Sequence, residues 1–225
     1  MAILRTSRVR LVSMAVEMGA SDCTVIHNVV ENNLSGIILY DWCSGNLVLS
    51  NLVETNDVAG IALFGADDNI VGCNVIRENV DGILLADSSF NQMSNNYLEG
   101  DPTVESMGIV AVEGSSGSDV YNNIVVNQGV SGLYLCCGAV ENVAMYNTFA
   151  GNEFFGVLVE EGPNPDNVVN FNNLMDNGEM GVLNDTETEL NAEYNWWGDR
   201  DPEFIDGYVE GPVDWTPWLT HEVPN

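Results

Sequence analysis

The chain contains no lysine, and its only strong cations are Arg5, Arg8, Arg10, Arg77 and Arg200. Against them stand 34 aspartates and glutamates, for a formal charge of −29 at neutral pH. A nucleic-acid partner is excluded, because phosphate contacts need clustered cations that release counterions. Long apolar runs are missing as well. The stretch Leu11 to Val16 ends at Glu17, short of the roughly 7–15 apolar residues of a secretion signal. Nothing approaches the roughly 20 consecutive apolar residues that a membrane span needs. Neither a signal peptide nor a membrane span is therefore read in this chain. Histidine is confined to His27 and His221, and nucleophile elbows, phosphate loops and dinucleotide fingerprints are missing.

Cysteine is scarce and odd in number, five in all, with no C-x-x-C and no Cys/His metal spacing. Cys23 and Cys73 fall in strand-like segments, Cys43 follows a tryptophan in a turn, and Cys136 and Cys137 are adjacent. They read as small buried apolar residues, and no disulfide scaffold is expected.

What is present is a repeat. A Gly-apolar-x-apolar tetrad recurs as GIIL (36–39), GIAL (60–63), GILL (82–85), GLYL (132–135) and GVLV (156–159), with weaker copies at Gly108 and Gly181. The glycines are spaced by 24, 22, 26, 24, 24 and 25 residues. An asparagine keeps the same beat at Asn28, Asn51, Asn74, Asn96, Asn123, Asn147, Asn173 and Asn195. Two residues beyond each lies an apolar side chain: Val30, Val53, Ile76, Leu98, Val125, Phe149, Met175 and Trp197. Three residues before the first five lie Val25, Val48, Val71, Met93 and Val120.

Alternation marks strands with one buried face. A unit this short cannot close a sheet on itself and must stack on its neighbours, with equivalent residues about 4.8 Å apart. The expected architecture is all-β, a right-handed parallel β-helix solenoid of about eight coils. Ile37, Ile61, Ile83, Ile109, Leu133, Val157 and Val182 form one buried column. Leu39, Leu63, Leu85, Ala111, Leu135 and Val159 form another. The asparagines form a hydrogen-bonded ladder, because Asn tolerates left-handed backbone and its amide can bond to an equivalent amide one coil away. The coils occupy residues 1–198, with the first coil incomplete or uncapped. Residues 199–225, rich in tryptophan and proline, read as a cap on the last coil within the same domain.

The GI-x-L strands, the N-x-V-x-x-N turns and the 22–24-residue beat resemble the parallel β-helix repeat family over residues 8–198. That family includes the pectate-lyase-like superfamily and carbohydrate-binding or sugar-hydrolysis-like repeat proteins, with copper-maturation factors of nitrous oxide reductase among its relatives. The segments NWWGDRDP (195–202) and GPVDWTPWL (211–219) are similar to the close of many such solenoids. The resemblance implies a polysaccharide or cell-surface glycan as partner and an extracellular or cell-surface setting.

Chemistry on this fold calls for carboxylates on one face. A turn column reads Asp41, Gly65, Asp87, Glu113, Cys137 and Glu161, with Asp67 and Asp68 nearby. Asp41, Asp87 and Glu113 would suit a hard cation, and Ca²⁺ is the cofactor such a ridge would take. Carboxylates on neighbouring coils would also suit a glycosidase pair. The Asp67–Asp68 pair resembles the paired aspartates of polygalacturonase-like hydrolases, but the histidine and lysine those enzymes add have no counterpart here. A lyase needs a base and cations, for which the coils offer Arg77, beside Glu78. Copper delivery would call for clustered Met, His or Cys, and the eight Met and five Cys are scattered along the chain. The reading these residues favour is a non-catalytic module that binds carbohydrate or acts as a rigid surface scaffold, with cations held on the acidic turns. A lyase or glycoside hydrolase using Asp41, Asp67, Asp68, Asp87, Glu113 and Arg77 is the alternative. A third is a structural solenoid that self-associates through its N-terminal coil.

Overall fold

The computed structural model describes residues 3–5, 7–10, 14–40 and 42–224. Each coil threads three strands in turn, as in Leu47–Leu49, Leu52–Glu54 and Ala59–Phe64. Equivalent strands of successive coils pair in parallel. Among the described residues this gives three sheets of ten, eight and nine strands, the last containing all the six-residue strands. The protein is thus a right-handed parallel β-helix of about eight coils.

The two apolar columns hold this stack together. Ile37, Ile61, Ile83, Ile109, Leu133, Val157 and Val182 lie in register, each at most 1% exposed. Leu39, Leu63, Leu85, Ala111, Leu135 and Val159 line the same interior. The glycine that opens each tetrad is required by close approach. A Cβ on Gly60 would stand 2.8 Å from the Gly82 carbonyl oxygen and 2.9 Å from Ile76 Cγ2, inside the corner.

Asparagine does more than the sequence suggested, because it lines three corners. The first ladder runs Asn28, Asn51, Asn74, Asn96, Asn123, Asn147, Asn172 and Asn195, each amide donating to the next Oδ1 at 2.9–3.2 Å. Its seventh member is Asn172 rather than Asn173, and the inward residue two beyond is Leu174 rather than Met175. Two consecutive asparagines hid a one-residue slip; Asn173 instead opens a strand and bonds Thr148 and Val223. A second ladder lies between the eight- and nine-stranded sheets, as Asn33, Asn56 and Asn79 and then Gln128, Asn152 and Asn177. A third precedes the ten-stranded sheet, from Asn46 through Asn69, Asn91, Ser118 and Asn142 to Asn167.

Beyond the last full coil, Val209–Glu210 and Val213–Asp214 extend the nine- and ten-stranded sheets. A short helix, Pro202–Gly207, is capped by the Asp201 carboxylate and seats Ile205 in the core. Trp197 and Tyr208 are buried there, and Trp215 and Trp218, with ring centroids 5.4 Å from each other, pack against the same core. The Tyr208 hydroxyl accepts the Asn177 N–H at 2.7 Å, ending the second ladder.

Candidate functional site

The turn column is present among the described residues from Trp42 onward. The residue that turns the chain off each long strand has left-handed φ, and this position is held by Trp42, Gly65, Asp87, Glu113, Cys137 and Glu161. Cross-coil bonds such as Trp42 N to Gly65 O (2.9 Å) and Cys137 N to Glu161 O (2.9 Å) tie the column together. In the first of these coils Trp42 holds a left-handed φ, so an aromatic side chain stands at the corner there. Asp41 lies outside the described residues. Asp87 and Glu113 occupy the corner on neighbouring coils and both are exposed. No third carboxylate joins them in a ligand cluster among the described residues. The calcium ridge of Asp41, Asp87 and Glu113 therefore finds no support.

Asp67 and Asp68 are held apart by their roles. The Asp67 carboxylate accepts the Ser89 N–H at 2.7 Å, tying two coils, while Asp68 is an exposed left-handed corner residue. Arg77 lies on the eight-stranded sheet, away from both. Its partner is Glu99 one coil on, at 3.4 Å, rather than Glu78, and its guanidinium also sits 5.6 Å from the Tyr97 ring centroid. Parallel register sets this pairing, since Arg77 and Glu99 are direct neighbours across the sheet. Among the described residues, the candidate acids and the candidate base thus do not converge.

A different surface gathers chemistry, the outer face of the nine-stranded sheet. Ile38, Ala59 and Ala62 are buried there in a cluster separate from the interior core, with Tyr40 and Leu84 packed against it. Val110, Leu158 and Cys136 continue the shielded floor. Phe64 stands in register with Tyr40 and is 42% exposed, and Trp42 at the adjoining corner is 79% exposed. In the place of Ala59 one coil on stands Asp81, whose carboxyl burial pushes up to about 6. The Tyr134 hydroxyl donates to Glu160 at 3.2 Å, and burial together with the nearby Glu160 and Glu161 raises it to about 12. No arginine lies on these strands, and the chain has no lysine. Sequence reasoning missed Asp81 because it precedes the tetrad glycine, where alternation breaks and the side chain emerges on the outer face.

At the edge of this face Cys136 and Cys137 are joined as a disulfide. Adjacent strand residues normally point to opposite faces. Here Cys136 ends a strand with its side chain outward, and the left-handed turn at Cys137 brings the second sulfur round to meet it. Glu161, the corner residue of the next coil, places Oε2 3.8 Å from the Cys136 sulfur and 3.5 Å from the Cys137 sulfur. The expectation of scattered, buried cysteines is corrected on this point. Cys43 is buried, but Cys73 and Cys137 are exposed. Among the described residues, Cys136, Cys137 and Glu161 are the one group of three whose ligand atoms lie within 4.8 Å of one another. The signal was in the sequence: two cysteines at the fourth and fifth positions past the tetrad glycine straddle the corner.

A profile of the family described as periplasmic copper-binding protein (NosD) matches residues 14–211. The chain belongs to this family. Among solved structures, a double mutant of the periplasmic alginate epimerase AlgG is similar at 17% identity and a TM-score of 0.74, over 84% of this chain and 49% of that one. The alginate lyase of Paenibacillus sp. str. FPU-7 is similar at 14% identity and 0.61, over 89% and 76%. The A-module of the Azotobacter vinelandii mannuronan C-5 epimerase AlgE4 is similar at 12% identity and 0.59, over 86% and 68%. At these identities the likeness is one of fold, and the chain spans about half the length of the epimerase AlgG. No curated protein matches the sequence. The NosD description names copper, which in its monovalent state prefers soft sulfur donors. Cys136 and Cys137 supply such donors only once their disulfide is reduced, and in that state the pair with Glu161 fits the metal.

Proposed function

We propose that the protein is a non-catalytic module that binds a neutral polysaccharide along the outer face of the nine-stranded sheet, in the periplasm or outside the cell. The observation that carries this reading is the shielded apolar floor of Ile38, Ala59 and Ala62, bordered by Tyr40, Phe64 and the exposed Trp42. Apolar and aromatic surface with a few placed polar groups is the usual character of a sugar-binding face, and Asp81 and Glu160 supply those groups. Coils that repeat at strand spacing offer equivalent positions to a ligand that itself repeats.

Neutral sugar is favoured over uronate on charge. The arginines of the described coils lie on the ten- and eight-stranded sheets, so a polyanion laid on this face would meet carboxylates. The fold neighbours that process alginate support a polysaccharide partner in general. A lyase or hydrolase has less support, because Asp67 is committed to backbone and Arg77 to Glu99.

Calorimetry and affinity electrophoresis against neutral glucans, mannans and xylans, with pectate and alginate alongside, test the proposal. Binding to a neutral glycan without new reducing or unsaturated ends is expected. Trp42→Ala and Phe64→Ala should each weaken it about tenfold while leaving the unfolding midpoint in place. Turnover of any of these polymers, or binding confined to the uronates, would overturn it.

A further inference from the structure

We propose that Cys136, Cys137 and Glu161 form a redox-gated site for copper(I), closed to metal while the two cysteines are a disulfide and opened by a dithiol reductant. The proposal stands on the geometry of this corner and does not depend on glycan binding.

Three observations converge. The left-handed turn at Cys137 puts two sulfurs on the same side of the chain, which neighbouring residues in a continuous strand cannot do. Register then places the carboxylate of Glu161 against both sulfurs, since Cys137 donates its N–H to the Glu161 carbonyl. Cys137 is exposed, so the bridge is open to an attacking thiolate, whereas Cys43 is buried away from solvent.

The step balances as an exchange of two electrons and two protons. A thiolate of the reductant attacks the Cys137 sulfur, the Cys136–Cys137 bond breaks, and the second thiol of the reductant displaces the mixed disulfide. The reductant leaves as its own disulfide, and the protein holds two thiols. Copper(I) then binds both sulfurs as two protons leave to solvent, because the thiolate is the ligand. Glu161 closes the third position. Soft sulfur selects a soft monovalent ion over the hard cations that the exposed carboxylates of this surface attract only weakly. Copper is also the metal named in the family's description.

The test is an anaerobic copper(I) titration of the whole chain against a chromogenic chelator, before and after phosphine reduction. Alkylation mass spectrometry reports the state of the two cysteines in parallel. Expected are protection of Cys136 and Cys137 from alkylation until reduction, and one extra copper(I) per chain after it. Near-ultraviolet thiolate-to-copper absorption should appear with that uptake. Cys136→Ser and Cys137→Ser should each abolish the increment, Glu161→Gln should weaken it about tenfold, and Cys73→Ser should leave it unchanged. Since Cys137 is exposed, its serine variant separates loss of ligand from loss of fold, with the unfolding midpoint as control. Equal uptake by oxidised and reduced protein would overturn the proposal. So would uptake that survives Cys137→Ser, or a reduced site that takes zinc(II) in preference to copper(I).

Discussion

The first and second asparagine ladders stand one strand apart, yet one is continuous and the other is broken. From Asn28 to Asn195 every amide finds the next, even across the coil where the step lengthens to 27 residues, from Asn96 to Asn123. The second ladder stops at Asn79 and resumes at Gln128. The equivalent position between them is Asp101, two residues past the strand Tyr97–Glu99. Its carboxylate turns aside to the Thr103 N–H and hydroxyl, at 2.9 and 2.6 Å. A carboxylate accepts but cannot donate, so it cannot pass an amide ladder on. The extra residues of the 100–106 segment are therefore taken up at a corner where the relay has already ended. The lesson is that this solenoid tolerates insertion where a ladder residue lacks a donor.

The largest effect expected from breaking the continuous ladder is at its centre. Asn123 donates to Met93 O and Asn147 Oδ1 and accepts from the backbone and side chain of Asn96, all fully buried. Asn123→Ala should cost about 3–5 kcal/mol in urea unfolding, because it leaves neighbouring buried groups without partners. Gly108 follows the insertion, and a Cβ there would collide with Val125 and with the Gly132 carbonyl. Gly108→Ala should cost about 2–3 kcal/mol, read as a lowered melting temperature.

Asp81 lies two residues past Asn79, at the lip of the break, and burial raises its pKa to about 6. The folded state holds the proton more tightly than the unfolded chain, so ionisation costs stability as pH rises from about 4 to about 6. Asp81→Asn should then stabilise the protein by about 2 kcal/mol at pH 8, and the gain should vanish below about pH 4. A pH-independent effect in parallel denaturation curves would show that packing, not charge, decides this position. The smallest effect belongs to Gln128→Ala, which removes one side-chain bond to Val126 O at 3.2 Å and should cost about 1 kcal/mol.

Much of this fold is legible because a solenoid writes its core as a period. The glycine tetrads name both inner columns of the long strands, and the first ladder is readable but for Asn172. The other two ladders are obscured by substitutions that preserve one hydrogen-bonding group, such as Ser118 and Gln128, and by the turn chemistry of Asp101. The candidate site is harder to read, since surface residues carry no period of their own. Asp87 and Glu113 share a column, but side chains at an exposed corner are free to splay. The convergence at Cys136 and Cys137 depends on the sign of φ at one residue, which spacing alone does not state.

The ladders also give the molecule an electrical direction. Peptide groups along a strand alternate in sense, so their dipoles largely cancel across a sheet. The asparagine amides do not alternate: in all three ladders the N–H end points to the next coil and the carbonyl end to the previous one. Their dipoles therefore add along the axis, with the positive end toward the last coil. The three corners thus give the β-helix a polarity along its axis that its sheets alone do not have.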